Sequence, residues 1–296
     1  LAELGAEVIK VESASRFDLY RTRGLEGMRG KMDEATRIES SIYFHSLNRN
    51  KTSLSVDLKT EAGRRAIKEL AATSHLLIEN FTVGTMERLG LGPDELAKVN
   101  PALVQLSMSG PGRGSSVEQI RSYGLVLSAL AGAEAPIETD GEFTGSPTFS
   151  ISDPNAALFA TFASLAAVHK ARETGDGMVL DFSQIEAAAT LADTPTLDIR
   201  REDTRRMPDG RYAIGCTPVL QLEETDAAPE FADCSGWLAA DHPVTGPEKL
   251  VAAPWRVDGA RPPLRAHAPA LGSGNARVLG GILKWTDEQI RLMEAT

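Results

Sequence analysis

The chain has 296 residues, with 31 Lys plus Arg against 41 Asp plus Glu and a formal net charge of −10. Apolar residues make up 42% and charged residues 24%, a balance that excludes a disordered or fibrous chain and is sufficient for a sizeable core. The acidic balance excludes a nucleic-acid partner, which would need a basic face to displace counterions.

Leu1-Ala-Glu-Leu-Gly5 has the pattern of a helix end, with Gly5 suited to its C-terminus, and Ala6 to Glu12 alternates as a strand. A helix tail with no body, in a chain with no initiator methionine, leads us to expect missing sequence upstream. Residues 13–40 are polar and charged and predict a long excursion with a short helix. Thr52 to Leu58 predicts a strand, and Thr60 caps a helix to about Ala72 with Ile67 and Leu70 facing inward. His75 to Glu79 predicts a short buried strand, Pro93 a short helix from its first turn, and Leu103 to Ser107 another strand. Asp153-Pro154 opens a long helix to about Glu173, Met178 to Phe182 predicts a strand, and an Ala-rich helix follows from Ser183. This alternation predicts an α/β domain with a Rossmann-like, largely parallel sheet flanked by helices. Periodicity then fails over residues 195–236, which read as a linker or the remnant of a removed segment. Pro243, Pro247, Pro254, Pro262, Pro263 and Pro269 predict an extended run along the surface, and Thr286-Asp-Glu-Gln289 is a capping box that opens a C-terminal helix.

Few patterns carry chemistry by themselves. Cys216 and Cys234 are too few for a disulfide framework or a four-thiolate zinc site, and a reduced, cytoplasmic setting is expected. The longest mostly apolar stretch, Ala156 to Val168, is too short to span a bilayer, so no membrane role is expected, and no secretory signal pattern is visible. His45, His75, His169, His242 and His267 are scattered at no metal-ligand spacing, which predicts no metal site and ordinary surface or boundary histidines. Gly110-Pro-Gly-Arg-Gly114 follows a strand and could cradle phosphate, but Ser115 stands where a dinucleotide fingerprint needs its third glycine; a structural turn is the simpler reading. Asp153 followed by Pro154 is a strong helix N-cap signal. The same position would keep a carboxylate ionised, as a nucleophile requires.

Several stretches together resemble the class III CoA-transferases, the family of formyl-CoA and carnitine CoA-transferases. They are Leu1 to Glu12, Asn48 to Lys59, Leu77-Ile-Glu-Asn-Phe81, Arg88-Leu-Gly-Leu-Gly92, Asn100-Pro101, Ser107 to Gly110 and Thr174 to Asp181. His242-Pro243 through Pro254-Trp255, and Leu271-Gly272, resemble the family's C-terminal return segment. The resemblance implies a large CoA-binding domain over residues 1–194, a linker or small-domain remnant over 195–236, and a return to the large domain over 237–296. It implies a catalytic role for Asp153. It also implies CoA contacts from Val56, Lys59, Asn80, Phe81, Thr82 and Arg88 at the nucleotide end, and from Arg121 and Tyr123 nearer the reacting group. The structural alternatives are solvated charges for the basic residues and core positions for Phe81 and Tyr123. Coenzyme A would be a substrate, with no tightly bound cofactor, a small carboxylic acid the other substrate, and an interlocked homodimer the assembly. The family's arginine after the first signature is replaced by Ser13, a small domain by Pro195 to Gly236, and its glycine-rich active-site loop is not seen. Two alternatives stand beside the transferase. One is an α-methylacyl-CoA racemase of the same superfamily, whose His–Asp pair aligns with Tyr123 and Gly124; the other is a non-catalytic CoA-binding subunit.

Overall fold

The computed structural model describes the chain outside residues 121–122, 135–137, 140–141, 144–149, 193–203, 207–211, 215–216, 219–236 and 295–296. In chain order β1 is Val8–Glu12, α1 Glu34–Arg37, α2 Ile42–Asn48, β2 Lys51–Ser55 and α3 Glu61–Ala71. There follow β3 (Leu76–Glu79), α4 (Thr85–Arg88), α5 (Pro93–Ala97), β4 (Val104–Ser109), α6 (Gly124–Leu130) and the short strands β5 (Glu138–Thr139) and β6 (Glu142–Phe143). Then come α7 (Ser152–Thr174), β7 (Met178–Ser183), α8 (Gln184–Ala192), β8 (Thr204–Arg206), β9 (Tyr212–Ile214) and β10 (Thr217–Pro218). The chain ends with β11 (Trp237–His242), β12 (Gly246–Val251), a π-helical turn over Ala276–Ile282 and α9 (Asp287–Glu294). The fold is α/β with parallel sheets and helices, as the sequence predicted. The parallel strands lie in two sheets, β1-β2 and β3-β4-β7.

The residues gather into two compact units, Leu1–Asp57 with Thr196–Thr296, and Leu58–Pro195. In the first, β1 and β2 pair in parallel from Val8–Lys51 to Glu12–Ser55. The C-terminal segment is stitched to β2: Gly274 N donates to Ser53 O at 2.9 Å and Ser55 N to Asn275 Oδ1 at 2.9 Å. The polar stretch 13–40 is less solvated than its composition predicts, because Arg21 is fully buried. Its Nε and Nη2 hold Glu12 at 2.9 and 2.8 Å, its Nη1 holds Glu39 at 2.8 Å, and its guanidinium lies 3.9 Å over Phe44. These partners replace the water that a buried guanidinium loses. The proline-spaced run is corrected too. Residues 237–251 form the antiparallel hairpin β11–β12, with His242 opposite Gly246, Pro243 in the turn and Gly246 at φ 74. Residues 195–236 contain a three-stranded antiparallel sheet, β10-β9-β8, for which the sequence offered no pattern. The C-terminal capping box forms as expected: Gln289 N donates to Thr286 Oγ1 at 3.3 Å and Thr286 N to Gln289 Oε1 at 2.9 Å.

In the second unit β4 is central, its register running Leu76–Val104–Met178 through Glu79–Ser107–Asp181. Small residues on α7 allow a close approach: Ala167 and Ala171 pack on Val104, ringed by Leu76, Val168, Met178 and Leu180. Gly177 returns the chain from α7 to β7 in contact with the β4 approach, where a Cβ would fall 2.7 Å from Pro101 O and closer still to Leu103 O. Thr60 caps α3 as predicted, its Oγ1 accepting from Gly63 N at 3.0 Å, and Ile67 and Leu70 are buried. Ser183 caps α8, accepting from Glu186 N at 3.1 Å.

Candidate active site

The long helix α7 starts at Ser152, within two residues of Pro154, but Asp153 is not its cap. Ile151 holds that position and makes no side-chain bond, so Asp153 is the second helical residue and Pro154 the third. Proline is tolerated there because a first-turn residue needs no N–H partner within the helix; the first bond of the helix is Asn155 N to Ile151 O at 3.1 Å. The carboxylate of Asp153 is therefore uncommitted. It is exposed, and among the described residues it makes no hydrogen bond or ion pair. The surrounding protein withdraws some of its water and raises its carboxyl pKa from the ordinary value, and no described charge offsets this.

Asp153 leans on α6. A Cβ placed on Gly124, the buried first residue of α6, would stand 2.6 Å from Asp153 Oδ2 and closer still to Ser150 Oγ. The carboxylate thus occupies the space that any side chain at position 124 would need. A side chain there, such as the aspartate of a racemase, would have to displace the Ser150 and Asp153 side chains. Tyr123 is the cap residue of α6 and is 77% exposed, so it is not a core aromatic.

The other candidate residues divide. Val56 belongs to the first unit and is buried, its amide committed to Glu12 O at 2.8 Å. The remaining described candidates belong to the second unit. Lys59 is exposed before α3. Asn80, Phe81 and Thr82 form the loop at the carboxyl end of β3, with Asn80 and Phe81 exposed, and Arg88 ends α4 just beyond it. The Phe81 amide donates to Glu79 Oε2 at 2.7 Å. Arg88 Nη2 donates to Thr85 Oγ1 at 2.7 Å, and its guanidinium lies against Gly84, whose φ is 79. Carboxyl ends of parallel strands are where open α/β sheets bind ligands. Arg121 lies outside the described residues.

The Gly110–Gly114 loop is a structural turn. Its amides are taken by side chains: Gly112 N by Ser109 Oγ at 3.0 Å, Arg113 N by Asp181 Oδ2 at 3.0 Å and Gly114 N by Glu118 Oε2 at 3.0 Å. Two of these partners are carboxylates, standing where a phosphate would have to approach.

The histidines are not all peripheral. In the first unit His45 and His242 are buried, and with Glu248 they are the one group of candidate metal ligands among the described residues. Their geometry does not suit chelation. The two imidazoles are stacked, centroids 3.9 Å apart and planes 25° apart, whereas a metal lies in the plane of each ring it binds. His45 is committed to Glu248 Oε1 at 2.6 Å and faces Glu39 O at 3.1 Å. His242 Nδ1 accepts from Val244 N at 3.3 Å, and its buried Nε2 has no hydrogen-bond partner. Contacts across some 200 positions of chain leave no local trace, which is why spacing missed this cluster.

The site is thus an α/β sheet unit carrying an unpaired carboxylate in the first turn of a long helix, with no metal ligands beside it among the described residues. Residues 1–211 match the model of CoA-transferase family III, and the chain belongs to that family. It is 32% identical over 201 residues, 66% of this chain and 46% of the relative, to the succinyl-CoA–D-citramalate CoA-transferase of Chloroflexus aurantiacus. It is 34% identical over 266 residues, 83% of this chain and 65% of the relative, to the succinyl-CoA:mesaconate CoA-transferase of Haloarcula hispanica. A CAIB/BAIF family protein from Brucella suis shares the fold, with a TM-score of 0.78 at 20% identity over 94% of this chain and 92% of that one. The match spans 39–46% of the length of three curated relatives, less than half of each.

Proposed function

We propose that this chain moves CoA from an acyl-CoA donor to a carboxylic acid through covalent intermediates on Asp153. The observation that carries the reading is the carboxylate itself: exposed, without a hydrogen-bond partner among the described residues, and raised in pKa by its surroundings. With no protein hydrogen bond or ion pair among the described residues to hold its electron pair, the carboxylate is free to attack, and the first turn of α7 opposes the desolvation that raises its pKa.

In this reading an Asp153 oxygen attacks the donor's thioester carbon, forming a mixed anhydride and expelling CoA thiolate. The thiolate attacks the aspartyl carbonyl carbon, releasing the donor carboxylate and leaving an aspartyl-CoA thioester. The acceptor carboxylate attacks that thioester, giving a second anhydride and freeing the thiolate again. Attack of the thiolate on the acceptor's carbonyl carbon yields the new acyl-CoA and regenerates Asp153. No proton or electron is gained or lost overall, so neither an acid–base pair nor a metal is needed. Water must be kept from the anhydride. Lys59, Arg88 and Arg121 would offset phosphate charge, Val56, Asn80, Phe81 and Thr82 would contact the nucleotide end, and Tyr123 would lie nearer the thioester. The domain roles implied for 1–194, 195–236 and 237–296 and a homodimeric assembly belong to the same proposal. Exposed Leu158, Phe162 and Leu165, spaced along one side of α7, support an association surface.

The test is incubation of the chain with an acyl-CoA and mass analysis. A CoA adduct on Asp153, cleaved by hydroxylamine, is expected, and Asp153→Asn should lose both adduct and exchange while still binding CoA. Full exchange in Asp153→Asn would refute the mechanism. CoA binding without exchange in the unaltered chain would favour a non-catalytic subunit.

A further inference from the structure

Three hydroxyls join the helices that meet at Asp153. Ser152 is fully buried, and its Oγ donates to Gly124 O at 2.8 Å. Its Oγ also lies 2.7 Å from Ser150 Oγ, which in turn lies 3.4 Å from Oγ of the fully buried Ser128 on α6. A hydroxyl has one proton. Since that of Ser152 goes to Gly124, Ser150 must donate to Ser152, and Ser128 is left to donate to Ser150. The direction of the chain is fixed at its buried end. Ser150 Oγ and Asp153 Oδ2 share the space left by the missing side chain of Gly124. No described group bonds the carboxylate directly, so its place depends on the residues that fix the turn carrying it.

We infer that Ser150 and Ser152 are positioning residues for Asp153. Their hydroxyls tie the first turn of α7 to Gly124 and keep the carboxylate seated over α6. The inference rests on the reading of Asp153 as nucleophile. In that reading the aspartyl group attacks once, is attacked twice and leaves once per turnover, and each step needs the same carbon or oxygen in reach. A misplacement near 1 Å costs roughly 100-fold in rate.

Ser150 is partly buried and suits substitution. In Ser150→Ala, kcat for CoA exchange is expected to fall by about 10- to 100-fold, with KM for donor and acceptor unchanged within about twofold. Ser150→Thr, which keeps the hydroxyl, should recover most of the loss. The titration midpoint of Asp153, followed by carboxyl carbon NMR in the free chain, should fall toward the ordinary carboxylate value in Ser150→Ala, because a loosened carboxylate regains the water that its seat over α6 withdraws; a serine with no positioning role would leave it unmoved. Ser152→Ala breaks the same chain one link further on and should give the same two effects. Unchanged kcat and unchanged Asp153 titration in both alanine variants would overturn the inference. Exchange surviving in Asp153→Asn would instead overturn the nucleophile reading. The NMR titration is independent of turnover and decides the positioning role even in a chain that exchanges no CoA.

Discussion

Arg21 is the residue whose loss should cost the first unit most. Replacing it by Met keeps apolar bulk against Phe44 but removes both guanidinium donors to Glu12, whose side chain is 2% exposed and keeps Ser53 Oγ as a donor at 2.9 Å. Breaking a buried ion pair by removing one partner costs about 3–5 kcal/mol, because the other charge stays buried. The lost stacking over Phe44 at 3.9 Å is worth about 1 kcal/mol and is not additive with the first term. Arg21 Nη2 also holds Pro269 O at 3.1 Å, and its partner Glu39 receives Leu271 N at 2.9 Å, so the same side chain anchors the C-terminal segment. A net loss of about 4 kcal/mol, with a urea slope of about 2 kcal/mol per molar, lowers the unfolding midpoint by about 2 M. The assay is selective. All three tryptophans, Trp237, Trp255 and Trp285, belong to the unit that contains Arg21, so tryptophan fluorescence follows that unit. Arg21→Met with Glu12→Leu should recover at least about half of the loss, since a matched apolar pair carries no orphaned charge. A single-variant cost below about 1 kcal/mol, or no recovery in the double variant, would show that the network is not what holds this unit together.

His242 is held well below its ordinary 6.5, to about 4, by burial first and then by His45; His267 acts in the same direction, while Glu248 and Ala268 O oppose it. Its contribution to stability is complete above pH 6.5 and is lost as pH falls toward 4, by up to about 3 kcal/mol. Urea midpoints by tryptophan fluorescence should fall over that window, and His242→Gln should flatten the fall; an identical slope in the variant would acquit His242. Arg88→Ala should weaken CoA binding by about 1–3 kcal/mol, with the wild-type affinity itself falling as salt rises. Calorimetric titration giving equal affinities would remove Arg88 from the CoA site. Sedimentation equilibrium should detect a dimer, and monomer alone at micromolar concentration would count against the assembly.

What was legible in the sequence was local. The cap at Thr60, the reciprocal box at Thr286 and Gln289 and the opening of α5 at Pro93 each rest on residues within four positions of one another. The alternation of strands and helices gave the α/β class for the same reason. Short helices such as α2 and α6 escaped because neither carries a side-chain cap bond. Arg21, the His45–His242–Glu248 cluster and the seat of Asp153 over Gly124 escaped because partners at a distance decide them. Burial turned a charged stretch into a network, and the packing of α2 on β11 turned scattered histidines into neighbours. The candidate site was legible only through resemblance to a family, since no spacing rule selects Asp153 or the loop at Asn80, Phe81 and Thr82.

The place of Asp153 inside the first turn, past the cap at Ile151, sharpens the test of its role. Had it been the cap of α7, replacing it would have removed a hydrogen bond to the helix backbone at a cost of about 1 kcal/mol, and a loss of activity could have been blamed on a loosened helix. It sits two residues past the cap, bonded to no described group. Asparagine matches its size and fits the same space beside Gly124. What the substitution removes is one negative charge near the helix N-terminus, worth about 0.3–1 kcal/mol at an exposed position. Burial raises the carboxyl's pKa, which means that the folded protein disfavours the charge, so neutralising it offsets part of that loss. Asp153→Asn should therefore unfold within about 1 kcal/mol of the unaltered chain. With stability held, the presence or absence of exchange reports on the nucleophile alone.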